Sequence, residues 1–83
     1  MSRFYLHQQT ASGIIEDPDG TEVSDLAAAR HEAILAARQL LANAILHGVA
    51  PLGAAFQISD EAGQVLLTVP FREALPPHFI SID

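Results

Sequence analysis

The stretch Glu16-Asp17-Pro18-Asp19-Gly20-Thr21-Glu22 sets four acidic side chains beside a proline and a glycine. Three readings fit that composition: a cation site, a recognition loop, or only a turn. Calcium takes about six to eight oxygens, and its common loop spells D-x-[DN]-x-[DN]-G with a bidentate glutamate closing the span. Here the third ligand before the glycine is missing, and Asp25 or Leu26 falls where the glutamate belongs. Pro18 at the second position and Gly20 at the fourth instead spell a type I turn. The stretch reads as a solvated turn, and neither a metal nor a cofactor is assigned.

Arg30 offers that turn a second use. On a helical projection it falls among Leu26, Ala33, Ala37 and Leu41, inside an apolar stripe. A guanidinium buried there without a partner is costly. Its place in the first two helical turns, close to the acidic turn, predicts a structural ion pair with Asp17, Asp19 or Glu22.

The histidines are His7, His31, His47 and His78. His31 and His47 lie about 160° apart around a helix and about 24 Å along it, so they cannot share an ion. His47, in the last helical turn, reads as a partner for terminal carbonyls. His7 shares a strand face with Tyr5 and Gln9. Those three make a candidate ligand face if that side of the sheet is open, and a polar solvent face otherwise. No glycine-rich phosphate loop, nucleophile elbow or pair of carboxylates beside a nucleophile occurs. So short a chain with one helix is expected to form no deep cleft. No catalytic residue is assigned, and the chain reads as non-enzymatic.

These residues need elements to hold them. Residues 3–9 alternate as a strand, with Phe4, Leu6 and Gln8 on one face and Tyr5, His7 and Gln9 on the other. Residues 13–16 form a short second strand, and residues 21–23 resume extended structure. Leu26 to His47 contains no glycine or proline and is rich in Ala, Leu and Arg. Ser24 or Asp25 caps it, and Gly48 with Pro51 beyond ends it. Residues 54–60 and 64–71 are two more strands, with Val65, Leu67 and Val69 sharing a face. The order ββ-α-ββ predicts an α+β two-layer sandwich, one long helix packed on a small, mainly antiparallel sheet. Residues 1–75 make the single domain. Residues 76–83 form a tail in which Phe79-Ile80-Ser81-Ile82 is read as an edge strand or a partner contact.

The helix carries two apolar faces. Leu26, Ala29, Ala33, Ala37, Leu40, Leu41 and Ala44 gather towards the sheet, flanked by Ile34 and Ile45. Ala28, Leu35 and Ala42 recur at seven-residue steps on the opposite side, joined by Leu46. A sandwich of two layers has nothing to cover that second stripe. It reads either as scattered exposed leucines or as a homodimer contact, and the dimer is the expectation.

Composition narrows the partner. The formal net charge is −6, and all four cations are scattered arginines. Nucleic acids and anionic membranes both ask for a basic patch, so neither is expected. The start has no apolar leader and no apolar run is long enough to span a bilayer, which predicts a cytoplasmic protein. The mean hydropathy of +0.25 is high for so small an acidic chain and points to self-association.

Three stretches carry a resemblance. Met1-Ser2-Arg3-Phe4-Tyr5-Leu6-His7 is similar to an M-x-R-[FY]-[FY]-x-[HD] start. Asp17-Pro18-Asp19-Gly20-Thr21-Glu22, then Ser24-Asp25-Leu26, Ala29-Arg30 and Ala33, resembles D-x-x-G-x-E…D-L-x-x-A-R-x-x-A. Asp60-Glu61-Ala62-Gly63-Gln64-Val65-Leu66 with Val69-Pro70-Phe71 resembles a D-x-x-G-x-[VE]-L-x-x-[VI]-P-F ending. Together they resemble a family of short bacterial proteins of unknown function, over roughly Met1 to Phe71. Thr10 to Ser12 departs from it, where relatives often carry an Asp-Gly turn. The resemblance implies a small bacterial α+β domain and lends no catalytic residues. The expected function is a protein–protein interaction or homodimerisation module, and the alternative is a small-ligand or regulatory sensor using the Tyr5, His7 and Gln9 face.

Overall fold

The computed structural model describes residues 2–49, 51 and 53–76. Its long strand β1 (Ser2–Thr10) anchors the sheet. A two-residue turn, Ala11-Ser12, returns the chain into β2 (Gly13–Ile15). Thr10 tightens that turn: its Oγ1 donates to the Gly13 carbonyl and accepts from the Ser12 N–H. β3 (Thr21–Val23) then pairs with the other end of β1. β2 covers Gln8 to Thr10 and β3 covers Ser2 to Phe4, so neither pairs with Tyr5, Leu6 or His7.

The helix α1 (Leu26–Leu46) follows. Asp25 is its N-cap, accepting from the Ala28 N–H at 2.9 Å. Beyond the C-terminus Gly48 has φ +82°, a conformation that side chains disfavour. β4 (Ala55–Ser59) pairs with the middle of β1, and β5 (Val65–Pro70) pairs with β4. The result is an α+β domain with one long helix and a five-stranded antiparallel sheet.

One core joins the elements. Ala29, Ala33, Ile34, Ala37 and Leu41 of α1 cluster with Phe4, Phe56, Ile58 and Val69 of the strands. The alanines let the helix approach closely. After β5 the chain turns into a 3₁₀ segment, Phe71–Ala74, that buries Phe71 and Ala74 completely. The Phe71 ring lies 5.1 Å from that of Phe56 at a tilt of 38°, a favourable aromatic arrangement. Its N–H donates to the Ala54 carbonyl.

Several expectations need correction. Three strands, not two, precede the helix, because residues 21–23 pair with β1. Phe71 belongs to the 3₁₀ segment rather than to the last strand. A register shift between Ile58 and Ser59 pairs Val65 with Ser59 and takes it out of the inward alternation of Leu67 and Val69. Val65 is accordingly exposed. Leu40 and Ile45, expected at or beside the core face, are exposed as well. The alanine-lined contact holds only a narrow stripe of the helix, and these two sit at its margins. The Phe79 to Ile82 segment lies outside the described residues.

Candidate functional site

The acidic turn spans the stretch of β1 that β2 and β3 leave open. Asp17 organises it. One carboxylate oxygen, Oδ2, accepts from the Leu6 N–H at 3.2 Å, supplying the bond a neighbouring strand would give. The other, Oδ1, accepts from the Asp19 and Gly20 N–H groups at 3.2 and 3.1 Å. Burial opposes the charge on Asp17, but the N–H groups of Gly20, Leu6 and Asp19, with His7 nearby, outweigh it. They hold the carboxyl below its ordinary value. With three backbone donors on one carboxylate, the turn acts as a structural plug. Among the described residues no three acidic, histidine or cysteine side chains are grouped so as to hold a metal ion.

Gly20 is required where it stands. Its φ is +72°, and an added Cβ would lie 2.9 Å from Arg3 Cγ, 2.9 Å from Tyr5 Cε2 and 3.0 Å from the Phe4 carbonyl oxygen. The turn is therefore pressed directly onto the Tyr5 side of β1.

Arg3, not Arg30, serves the acidic stretch. Its Nη1 donates to the Asp19 carbonyl at 2.6 Å, and its Nη2 reaches Glu22 Oε1 at 3.1 Å. Arg3 stands opposite Glu22 in the β1–β3 register, a cross-strand ion pair. Arg30 instead pairs with Glu73 of the 3₁₀ segment at 3.1 Å. Among the described residues no ion pair joins Arg30 to the expected partners Asp17, Asp19 or Glu22. Arg30 itself is exposed, with its guanidinium turned to Glu73. The extended Thr21-Glu22-Val23 is legible in the sequence, but its pairing with β1, which brings Glu22 to Arg3, is not.

Tyr5 and His7 do share a face, with ring centroids 6.2 Å apart and planes within 12°. His7 Nδ1 accepts the Asp17 N–H at 3.0 Å. Neutral His7 must then carry its hydrogen on Nε2. Gln9 lies on the same side of the strand, where its Oε1 accepts from Gln57 Nε2 at 3.2 Å. His47 is the reverse case: its Nδ1 lies 2.8 Å from the Asn43 carbonyl, so there Nδ1 bears the hydrogen and caps the helix end.

The outer stripe of α1 is the second candidate surface. Leu46 is 83% exposed, and Leu35 is 39% exposed. Ala42 is exposed, and Ala28 is half-buried beside the N-cap. Ile45 and Val49 extend the apolar area around the helix end.

A family model, Domain of unknown function (DUF6894), matches residues 3–72. The chain belongs to this family. The DUF6894 match begins at Arg3 and ends at Arg72, so it takes in the plugged β1 gap, the helix and Phe71. No curated protein matches the chain, and no solved structure does. Within the matched residues of this chain, the acidic stretch bonds to β1 through Asp17. Among its described residues no helix is long and apolar enough to cross a membrane.

Proposed function

We propose that this domain is a non-enzymatic protein–protein interaction module that forms a homodimer through the outer stripe of α1. The observation that carries the reading is the exposure of Leu46 and Leu35 on the side of the helix opposite its buried stripe. With the helix over one sheet face, no third layer stands on that side among the described residues. The helix has 21 residues, about 31 Å, and its C-terminal turn carries Leu46, largely exposed. A bacterial cytoplasmic setting goes with this reading. Nucleic acid and membrane are left out of it, because Arg3, Arg30 and Arg38 are engaged with Glu22, Glu73 and the Ala74 carbonyl.

Light scattering on the wild type and on Leu35→Glu with Leu46→Glu tests it. A wild-type dimer that becomes a folded monomer supports the helix stripe. A monomeric wild type at high concentration sinks the proposal.

A second reading has its own observation. The Asp17 N–H leaves His7 Nε2–H as a donor beside the parallel Tyr5 ring, with Gln9 alongside. That set suits a small planar ligand carrying an acceptor, and the domain would then be a sensor. A thermal shift with a small-molecule panel that disappears in His7→Ala would favour this reading over the first.

A further inference from the structure

A groove of about 280 Å³ runs along the C-terminal half of α1. Leu41, Ala42 and Ile45 line it from the helix, and Leu75 and Pro76 line it from the chain after the 3₁₀ segment, with Arg38 among them. Arg38 Nε donates to the Ala74 carbonyl at 2.8 Å and ties that segment to the helix. Leu46 stands one helical turn beyond Ala42 and is the most exposed large apolar side chain among the described residues. A cavity and a projecting side chain therefore share one face.

Charge says what fits that face. From Leu35 to Val49 the only Asp, Glu, Lys or Arg is Arg38, in a chain of net charge −6. Two copies meeting here set no Asp or Glu of this segment against another, so they meet without the like-charge repulsion that the chain's net charge would otherwise favour. Ala42 is small and lies at the middle of the segment. Leu46 and Arg38 are both four positions from it, and Leu35 and Val49 are both seven.

We infer that the groove receives Leu46 of a second copy of this chain, the two α1 helices running antiparallel across a two-fold axis at Ala42. This rests on the self-association proposed above and adds its geometry. A two-fold contact uses the same patch twice, so each copy inserts Leu46 beside the other's Arg38 and sets Val49 against the other's Leu35. Alanine at the axis permits helices to pack about 8 Å apart. The groove wall at Ala74 to Pro76 lies past Arg72, where the family match ends.

The chain contains no cysteine, so a single introduced thiol reports cleanly. Ala42→Cys is oxidised in parallel with Glu61→Cys, a control in the exposed β4–β5 turn, and solution mass is measured for the wild type. Disulfides form only when Cβ atoms come within about 4 Å, so Ala42→Cys should give roughly tenfold more linked dimer than Glu61→Cys. Adding Leu46→Glu should abolish the excess, with circular dichroism showing that each variant is folded. A wild-type dimer with no excess at Ala42→Cys overturns the axis and leaves self-association standing. A wild-type monomer overturns both. Cross-linking that appears only in a chain ended after Pro76 means the chain's own last residues take the groove, which also overturns the inference.

Discussion

At Asp17 a single carboxylate does for β1 what a strand does elsewhere. A buried N–H without a partner costs about 1–3 kcal/mol, and Leu6 would have one if Asp17 were lost. Asparagine at this position keeps one acceptor and sets an amide against the remaining donor. Asp17→Asn is therefore expected to lose about 1–3 kcal/mol at neutral pH in urea unfolding. The pH dependence follows from the direction of the shift. A carboxyl lowered in the fold stabilises fully above the ordinary aspartate value near about 4, and that contribution fades as pH falls through the folded value. The gap between wild type and Asp17→Asn should thus narrow as pH falls below the ordinary aspartate value, and a gap that stays constant would count against the carboxylate's charge. Gly20 makes a second residue-scale prediction. Gly20→Ala places a methyl against the Phe4 carbonyl oxygen, which cannot swing away as a side chain can, and holds alanine at positive φ. It should destabilise by about 1–3 kcal/mol, read by the same unfolding. The sequence marked Asp17 and Gly20 as a turn. It did not show that the turn faces β1, because that depends on where β2 and β3 stop.

At the scale of elements, the 3₁₀ segment closes the core. Phe71 is fully buried against Phe56, whereas the Arg30–Glu73 pair beside it is half-exposed. Removing a buried aromatic ring costs about 3–5 kcal/mol, and breaking an exposed ion pair about 0–1. Phe71→Ala should accordingly unfold at far lower urea than Glu73→Gln, which should sit close to wild type. Equal losses would mean that the pair, not the ring, fastens this segment. The helix was legible from its caps and its alanine stripe, since both signals lie within a few residues. The exposure of Leu40 and Val65 was not legible. Leu40 is decided by how wide a contact the sheet offers, and Val65 by a register shift in β4–β5.

For the whole molecule, smallness and an uncovered apolar helix side belong together. A domain of this size buries about 60–65% of its unfolded surface, so the proposed association would add stability to a small core. Association stabilises by mass action, which makes the melting temperature depend on protein concentration. A hundredfold dilution should lower the melting point of the wild type and leave that of Leu35→Glu with Leu46→Glu unchanged. A concentration-independent wild type would contradict the dimer. The sequence by itself determined the strand alternation of Phe4, Leu6 and Tyr5, the helix with its Asp25 cap and Gly48 end, and the membership carried by residues 3–72. The strand alternation and the helix caps are written in residues a few positions apart, where backbone geometry alone relates them. Only the tertiary structure decided which arginine meets the acidic turn, that β1 holds β2, β3 and a carboxylate along its length, and that Leu75 and Pro76 wall a groove beside Leu46. Arg3 meets Glu22 across 19 positions and Arg30 meets Glu73 across 43. Contacts at such separations are set by strand register and by the closure of the core, which no local pattern contains.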